Sequence, residues 1–173
     1  LQKNISLDAL QRQFARTPYA VSFKAGNKTF VLLTLHVLYG DDADDRVPEL
    51  NAIARWMYDW AKQLNHWGHS LITLGDFNLD KEGQVAFEAF TSTGLYVPRD
   101  LQGISRTIFN KITYYDQIAW FKNTRGIPQL NLEYKKGGLY NFKGKVLRDR
   151  DYSSQQLSFR ISDHLVLWGE FGV

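Results

Sequence analysis

Residues 71–80 read LITLGDFNLD, in which a carboxylate and an amide directly follow a strand-like apolar run. The run Leu71 to Leu74 predicts a buried strand, and Asp76 and Asn78 come just behind Gly75. Because alternate side chains of an extended chain point the same way, these two polar side chains could face one point in space. Gly, Asp and Asn are also ordinary turn residues, so a simple strand-to-loop turn is the competing interpretation.

The residues before this stretch predict a right-handed crossover between two parallel strands. A strand over 29–37, TFVLLTLHV, is followed by a helix that begins at Pro48 and then by a strand over 70–74. The apolar residues of the helix keep to a 3.6-residue spacing: Leu50, Ile53, Ala54, Met57, Ala61 and Leu64. His36 and Asp76 would then lie at the carboxyl edge of the sheet, where ligands bind in open α/β sheets.

The rest of the chain predicts further short elements and no internal repeat. A strand over Tyr19–Lys24, closed by the turn residues Gly26 and Asn27, forms a hairpin with the strand over 29–37. The other predicted elements are helices over 1–16 and 84–90, an irregular segment over 96–112, and strands over 113–121 and 164–171.

The composition indicates a single globular domain, or a large part of one. The chain has 173 residues, of which 44% are hydrophobic and 14% aromatic, and its net charge is +3. The absence of Cys excludes disulfides, thiol catalysis and cysteine-ligated metals, although it leaves the compartment, cytoplasmic or exported, open. No apolar run approaches the length of a membrane span, so the sequence predicts a soluble chain. The one Met is Met57, which indicates that the chain does not begin at a translation start.

Asp116 is a second polar residue in an unexpected place. In TYYDQIAWF it stands among aromatic and β-branched residues, where an ionised carboxylate without a partner costs several kcal/mol. The sequence RISDHLVLWGEF places Asp163 and His164 at the start of the last predicted strand. A histidine is a natural partner for Asp116, because a carboxylate on one ring nitrogen fixes the tautomer and frees the other for chemistry.

Four motifs in this order resemble those of the endonuclease/exonuclease/phosphatase superfamily. They are His36 after a strand, GDFN at 75–78, YDQI at 115–118 and SDH at 162–164. The superfamily includes deoxyribonuclease I, exonuclease III, neutral sphingomyelinases and inositol polyphosphate 5-phosphatases. The resemblance covers nearly the whole chain and implies an α+β fold, the four-layer α/β/β/α sandwich of deoxyribonuclease I.

The resemblance also implies roles for individual residues in metal-dependent hydrolysis of a phosphoester. Asp76 would orient or deprotonate the attacking water, and Asn78 would position that water and the phosphate. His164, held by Asp116, would contact the scissile phosphate and act as acid or base. Asp163, with Asp76, would hold Mg²⁺ or Mn²⁺, which suit hard carboxylate oxygens. His36 would donate to a phosphate oxygen.

One departure from the family pattern concerns the first strands of the domain. The family carries an Asn and a metal-binding Glu there, and both precede anything in this sequence. The glutamates that are present stand in other contexts: Glu49, Glu82, Glu88, Glu133 and Glu170. We therefore expect residues 1–173 to be the C-terminal portion of a single domain, with an incomplete site. We expect this fragment to be inactive alone and to associate with its missing N-terminal portion or with another copy.

The basic residues cluster in LEYKKGGLYNFKGKVLRDR, over 132–150. Lys143, Lys145 and Arg148 are candidates for phosphate contacts, and a solvated, glycine-bearing loop is the competing interpretation. The alternative function is a non-catalytic module of the same fold that holds an anionic partner through the loop over 134–150. For the hydrolase, the sequence leaves open whether the substrate is DNA, RNA, a phospholipid or a sugar phosphate, that is, nucleic acid or a small phosphodiester.

Overall fold

The computed structural model describes residues 14–40, 42, 44–66, 70–79 and 84–173, and its centre is a five-stranded sheet. The strands are β1 (Tyr19–Ala25), β2 (Lys28–His36), β3 (Ser70–Asp76), β4 (Leu95–Tyr96) and β5 (Asp116–Phe121). They lie in the order β1-β2-β3-β5-β4. β1 and β2 form the predicted antiparallel hairpin. The predicted helix over 1–16 falls almost entirely outside the described residues.

The predicted crossover between β2 and β3 is confirmed. Helix α1 (Val47–His66) joins the two strands, which pair in parallel. All of the apolar helix residues named from the 3.6-residue spacing are buried: Leu50, Ile53, Ala54, Met57, Ala61 and Leu64. They pack on Leu33, Leu35 and Val37 of the sheet, so burial of this face fixes the helix across the two strands.

A second sheet of two antiparallel strands, β6 (Glu133–Tyr140) and β7 (Val166–Gly172), packs on the other face of the first sheet. Trp120 of β5 lies between the sheets, with its ring centroid 5.0 Å from that of Tyr134 and 5.5 Å from that of Phe171. The predicted loop over 134–150 is therefore wrong for its first half, since residues 133–140 are a strand. Glycine is typical of loops, but Gly137 has a different role in this strand. A Cβ there would collide with Tyr134, Leu101 and the main chain of Trp168, so close packing requires a glycine.

Two short α-helices and two 3₁₀ turns, Asp44–Arg46 and Arg99–Leu101, complete the described elements. Helix α2 (Val85–Thr91) matches the predicted helix over 84–90 and packs on α1. Helix α3 (Ser154–Arg160) was not predicted, and it begins with a capping box in which Ser153 and Gln156 hydrogen-bond reciprocally. Leu157 of α3 packs with Ile108, Phe142 and Leu165 in a small second core.

The described residues thus form three layers, namely helices α1 and α2, the five-stranded sheet and the two-stranded sheet. This is a mixed α+β architecture, as the sequence predicted. The outer face of the second sheet, which includes Val166 and Trp168, is exposed in this part of the chain. Among the described residues, no helix combines the length and apolar character needed to cross a bilayer.

Candidate active site

Three polar side chains lie side by side at one end of the five-stranded sheet. His36 and Asp76 are the last residues of β2 and β3, and they are register partners in the parallel pairing. Asp116 is the first residue of β5, and it is the antiparallel partner of Asp76. The parallel crossover and the antiparallel neighbour therefore bring together, at the predicted edge, residues that are far apart along the chain.

His164 joins this group from the segment that leads into β7. Its Nδ1 lies 2.7 Å from Oδ2 of Asp116, so the predicted pairing is present in the structure. Because Nδ1 is engaged with the carboxylate, Nε2 is the nitrogen that can reach a ligand, and Oδ2 of Asp163 lies 4.0 Å from it. The two residues of the pair are about one-quarter exposed, at 25% for His164 and 21% for Asp116. The pair is thus accessible without being fully hydrated.

The loop before β5 holds the segment that carries His164. Thr107 forms an isolated β-bridge with His164, and the main-chain N–H of Ile108 donates to the carbonyl of Asp163 at 2.9 Å. The main-chain N–H of Leu165 donates to the carbonyl of Arg106 at 2.6 Å. These contacts fix His164 relative to Asp116 through the main chain, since the same loop leads directly into β5.

His36 and Asp76 form a second acid–imidazole contact beside the first. Nε2 of His36 lies 3.5 Å from Oδ2 of Asp76. The other carboxylate oxygen of Asp76 accepts a hydrogen bond of 2.9 Å from the main-chain N–H of Asn78. The His36 side chain is half exposed at 48% and Asp76 is 18% exposed, so the imidazole is open to solvent above a largely covered carboxylate.

Asn78 departs from the extended geometry expected from the sequence. β3 ends at Asp76, and Asn78 has a φ of +49°, in the left-handed region that asparagine tolerates better than most residues. Its side-chain amide is buried and donates to the carbonyl of Val37 at 2.8 Å. The prediction that Asn78 and Asp76 are aligned by strand alternation is therefore wrong, because a turn follows Asp76. Asn78 contacts Asp76 through its main chain instead.

The electrostatic environment shifts two of these groups. The hydrogen bond to Asp116 raises the pKa of His164 to about 9, and the charges of Asp116, Asp76 and Asp163 act in the same direction against the effect of burial. Burial also raises the pKa of Asp76, although the hydrogen bond from Asn78 opposes that shift. At neutral pH the site accordingly contains an imidazolium beside a carboxylate of increased basicity.

The expected metal ligands are present only in part. Within the described ranges, no three His, Asp or Glu side chains come together so that they could hold a metal ion. Asp76 and Asp163 supply hard carboxylate oxygens next to the same histidine. Mg²⁺ often takes one or two protein carboxylates and completes its shell with water and substrate phosphate, so the chemistry of these two donors fits such an ion.

The three basic candidates lie in the segment after β6, and each has a contact within the protein. Nζ of Lys143 donates to the carbonyl of Ile108 at 3.1 Å, close to the segment that holds Asp163. Nζ of Lys145 lies 4.6 Å from the ring centroid of Tyr140. Nε of Arg148 donates to the carbonyl of Lys145 at 3.1 Å. All three side chains are exposed and could therefore reach a phosphate. Their contribution to phosphate binding stays a prediction.

The sequence did not single out two buried arginines that touch the site. Arg46 is 7% exposed and donates to the main-chain carbonyl of Asn78. Arg106 is 1% exposed and donates through Nε to the main-chain carbonyl of Asp116 at 3.0 Å. No local pattern distinguishes them from exposed arginines, because neither lies on an amphipathic face and their acceptors are main-chain oxygens.

The sequence likeness to known proteins extends over a limited segment of the chain. A deoxyribonuclease from Thioalkalivibrio sp. (strain K90mix) is 37% identical over 70 residues, which are 39% of this chain and 19% of that protein. No family model matches the chain.

Solved structures resemble the chain over most of its length. A mannosyl-6-phosphatase from Bacteroides thetaiotaomicron superposes with a TM-score of 0.60 at 18% identity, covering 90% of this chain and 57% of that one. TDP2 from D. rerio in complex with a single-strand DNA product gives 0.57 at 12% identity, with coverage of 90% and 61%. An endonuclease/exonuclease/phosphatase family protein from Leptotrichia buccalis gives 0.55 at 16% identity, with coverage of 90% and 54%.

The chain spans between half and two-thirds of the length of these structures. At these identities the likeness establishes the fold. The three-layer arrangement, with two sheets packed face to face, is therefore a part of the deoxyribonuclease I-like fold found in endonuclease/exonuclease/phosphatase proteins.

Proposed function

We propose that this chain carries part of the active site of a divalent-metal-dependent phosphoester hydrolase. The observation that carries the proposal is the 2.7 Å contact between Asp116 and His164, set directly beside the contact of 3.5 Å between His36 and Asp76. Four polar side chains that converge at one sheet edge provide a base, an acid, a group that orients the acid and a donor to the phosphate. A module that only binds an anion has no need of an imidazole held by a partly buried carboxylate.

The proposed reaction assigns each proton to a named atom. A water oxygen attacks the phosphorus while its proton passes to the carboxylate of Asp76, whose pKa is raised by burial. The bond between phosphorus and the leaving oxygen breaks, and that oxygen takes the proton from Nε2 of His164. Asp116 orients His164 and favours its protonated form until this transfer takes place. His36 donates to a non-bridging phosphate oxygen, and Asn78 holds Asp76 through its main-chain N–H.

The metal is part of the proposal. Asp76 and Asp163 would hold Mg²⁺ or Mn²⁺, and a third carboxylate would have to come from outside the described residues. When bound, such an ion stabilises the negative charge that develops on the phosphate oxygens.

Nucleic acid is the substrate class that we favour. A sequence relative is a deoxyribonuclease, and one structural neighbour is a complex with a single-strand DNA product. The exposed Lys145 and Arg148 would add sequence-independent contacts to phosphates. Another neighbour is a mannosyl-6-phosphatase, so a small phosphoester is the competing substrate.

The test uses the full-length protein that contains this chain. Turnover of an oligonucleotide and of a small aryl phosphodiester is measured with Mg²⁺, with Mn²⁺ and with EDTA. His164→Ala and Asp76→Asn should each lower turnover by about 10²–10⁴, the usual cost of removing a positioned proton-transfer group. Asp59→Asn is the matched control, because Asp59 is exposed on α1 and pairs with Arg55.

The outcomes separate hydrolysis from binding alone. Metal-dependent turnover that depends on both residues supports the proposal. Normal turnover in His164→Ala would contradict the mechanism. Tight binding of the oligonucleotide without turnover in any metal would instead indicate the non-catalytic module that holds an anionic partner.

We further propose that the chain associates with its N-terminal portion or with another copy. The inner face of β1 and β2 extends beyond the two-stranded sheet, and Tyr19, Val21 and Phe23 of β1 are 69%, 54% and 43% exposed. Apolar faces of this kind drive association.

A further inference from the structure

Arg106 is a buried cation whose hydrogen bonds all go to main-chain carbonyls. Its side chain donates through Nε to Asp116 at 3.0 Å and through the two terminal nitrogens to Ile104 and Leu101. None of the ion pairs found among the described residues includes it. Burying a guanidinium without a bound carboxylate is costly, so an apolar side chain would serve packing better. The presence of an arginine here is therefore explained by the positions of its three acceptors.

The main chain of Arg106 is tied to the other half of the site. Its N–H donates to the carbonyl of Thr113 at 2.9 Å, and its carbonyl accepts from the N–H of Leu165, the neighbour of His164, at 2.6 Å. One residue thus contacts Asp116 through its side chain and the His164 segment through its main chain. These contacts tie the start of β5 to the segment that carries His164.

The shape of the side chain matters as well as its charge. A guanidinium presents five N–H donors in a rigid plane and can satisfy several carbonyls at once. A lysine ammonium is a single point charge and cannot reach carbonyls from Leu101, Ile104 and Asp116 together. Two acceptors, Leu101 and Ile104, lie on the stretch before Arg106, and the third is Asp116, the first residue of β5, so the planar fork joins the loop to that strand.

We propose that Arg106 is a positioning residue for the Asp116–His164 pair, fixing the main chain on both sides so that Oδ2 and Nδ1 stay within hydrogen-bond distance. This inference rests on the proposed hydrolase function. It concerns a residue that touches neither the substrate nor the reacting atoms.

The first test is spectroscopic and does not need turnover. In the full-length protein with ¹⁵N-labelled histidine, the proton between Nδ1 of His164 and Asp116 should give a downfield NMR signal. Arg106→Lys should weaken or remove that signal while the protein stays folded by circular dichroism. Arg160→Lys is the matched control, because Arg160 is an exposed arginine that also donates to a main-chain carbonyl, that of Gln156.

The second test is a double-mutant cycle on turnover. Arg106→Lys alone should lower kcat by about 10–100-fold with little change in KM, as expected when reacting groups are misplaced. In an Asp116→Asn background the same substitution should have almost no further effect, because the pair it positions is already broken. A purely structural role would lower turnover by the same factor in both backgrounds.

The outcomes are distinct from those of the proposed function. An unchanged downfield signal in Arg106→Lys, or equal losses in the two backgrounds, would overturn the positioning role. If the wild-type protein hydrolyses no phosphoester, the proposed function fails, and the NMR comparison still decides whether Arg106 holds the pair.

Discussion

The hydrogen bond between Asp116 and His164 determines the protonation state of the candidate site. Because this bond raises the pKa of His164 to about 9, the imidazole is protonated at neutral pH and Nε2 carries a proton to give. An unperturbed histidine, with a pKa of about 6.5, would be mostly neutral at that pH and would have few protons to donate. The acidity of His164, which lies two residues before β7, therefore depends on a carboxylate at the start of β5.

Replacing Asp116 with Asn should lower the pKa of His164. The amide removes both the hydrogen bond to a carboxylate and its charge, which are causes of the upward shift. The measurement is an NMR titration of the His164 ring in the full-length protein with EDTA present, and Asp59→Asn serves as the control. An unchanged titration of His164 in Asp116→Asn would show that another group raises the pKa.

The same shift has a consequence for stability. Since the pKa of His164 is higher in the folded protein, the contribution of the pair to the free energy of unfolding is complete below about pH 6.5 and is lost as the pH rises towards about 9. Urea unfolding at several pH values should show this loss in the wild type. The loss should be smaller in Asp116→Asn.

The residues of the candidate site differ in how well the sequence alone predicts their conformation and contacts. Asp116 could be predicted to need a partner, because a charge in an apolar strand is costly anywhere. The left-handed conformation of Asn78 and the buried position of Arg106 could not be predicted from the sequence, because both depend on main-chain carbonyls that the fold brings together.

At the scale of elements, the ends of β2 and β3 are held together at Gly75. This residue has a φ of +139°, and a Cβ there would overlap the main-chain oxygen of Leu35 on the neighbouring strand. Gly75→Ala should lower the free energy of unfolding by about 3 kcal/mol, because it adds backbone strain to an overlap. Urea unfolding of the full-length protein measures the change.

Gly126→Ala is the matched control for that substitution. Gly126 also has a positive φ, of +75°, but a Cβ there would meet no atom within 4 Å. Its cost should be limited to about 1 kcal/mol of backbone strain. Equal losses in the two variants would mean that the approach of Leu35 to Gly75 is not what constrains this edge.

The predicted elements are most accurate where apolar periodicity is strong. The buried face of α1 and the alternation in the β1–β2 hairpin are sufficient to define both. The sequence does not reveal β6, because Lys135, Lys136 and the glycine pair give no strand pattern, and its pairing with β7 supplies the missing hydrogen bonds. Helix α3 is missing from the prediction although Ser153 and Gln156 carry a capping-box signature, which is a readable signal.

The segment after β6 should affect nucleic-acid binding through its exposed cations. Replacing Lys145 and Arg148 with Gln should raise KM for an oligonucleotide and lower the slope of binding against salt by about one for each phosphate that the variant no longer binds. Arg55→Gln, on exposed α1, is the control. Lys143→Gln should be made separately, because removal of its bond to Ile108 also affects stability. An unchanged salt slope would favour a solvated segment and a small substrate.

At the scale of the whole molecule, two apolar surfaces in the described part of the chain lack cover. The inner face of β1 is one, and the outer face of the second sheet, where Val166 is 51% and Trp168 38% exposed, is the other. The known structures with this fold are longer than the chain, which spans 57% and 61% of two of them. These surfaces are where further parts of such a domain, or a second copy, would pack.

The 173-residue chain produced alone should therefore not be a well-behaved active monomer. Light scattering should give a mass above that of one chain, and Phe23→Lys should reduce association by placing a charge on the exposed inner face. Ser22→Lys is the control, because it adds the same charge to the opposite face of β1. A monodisperse monomer with metal-dependent turnover would show that the chain carries its own complete site.

The contact between Asp116 and His164 joins β5 of the first sheet to the segment that leads into β7 of the second, so activity depends on how accurately the two sheets are aligned. Apolar side chains between the sheets tolerate small sliding movements, whereas a hydrogen bond of 2.7 Å does not. A protein whose two sheets are slightly misaligned would therefore be inactive while it is still compact. A hydrolase built in this way is active only after it has been assembled correctly.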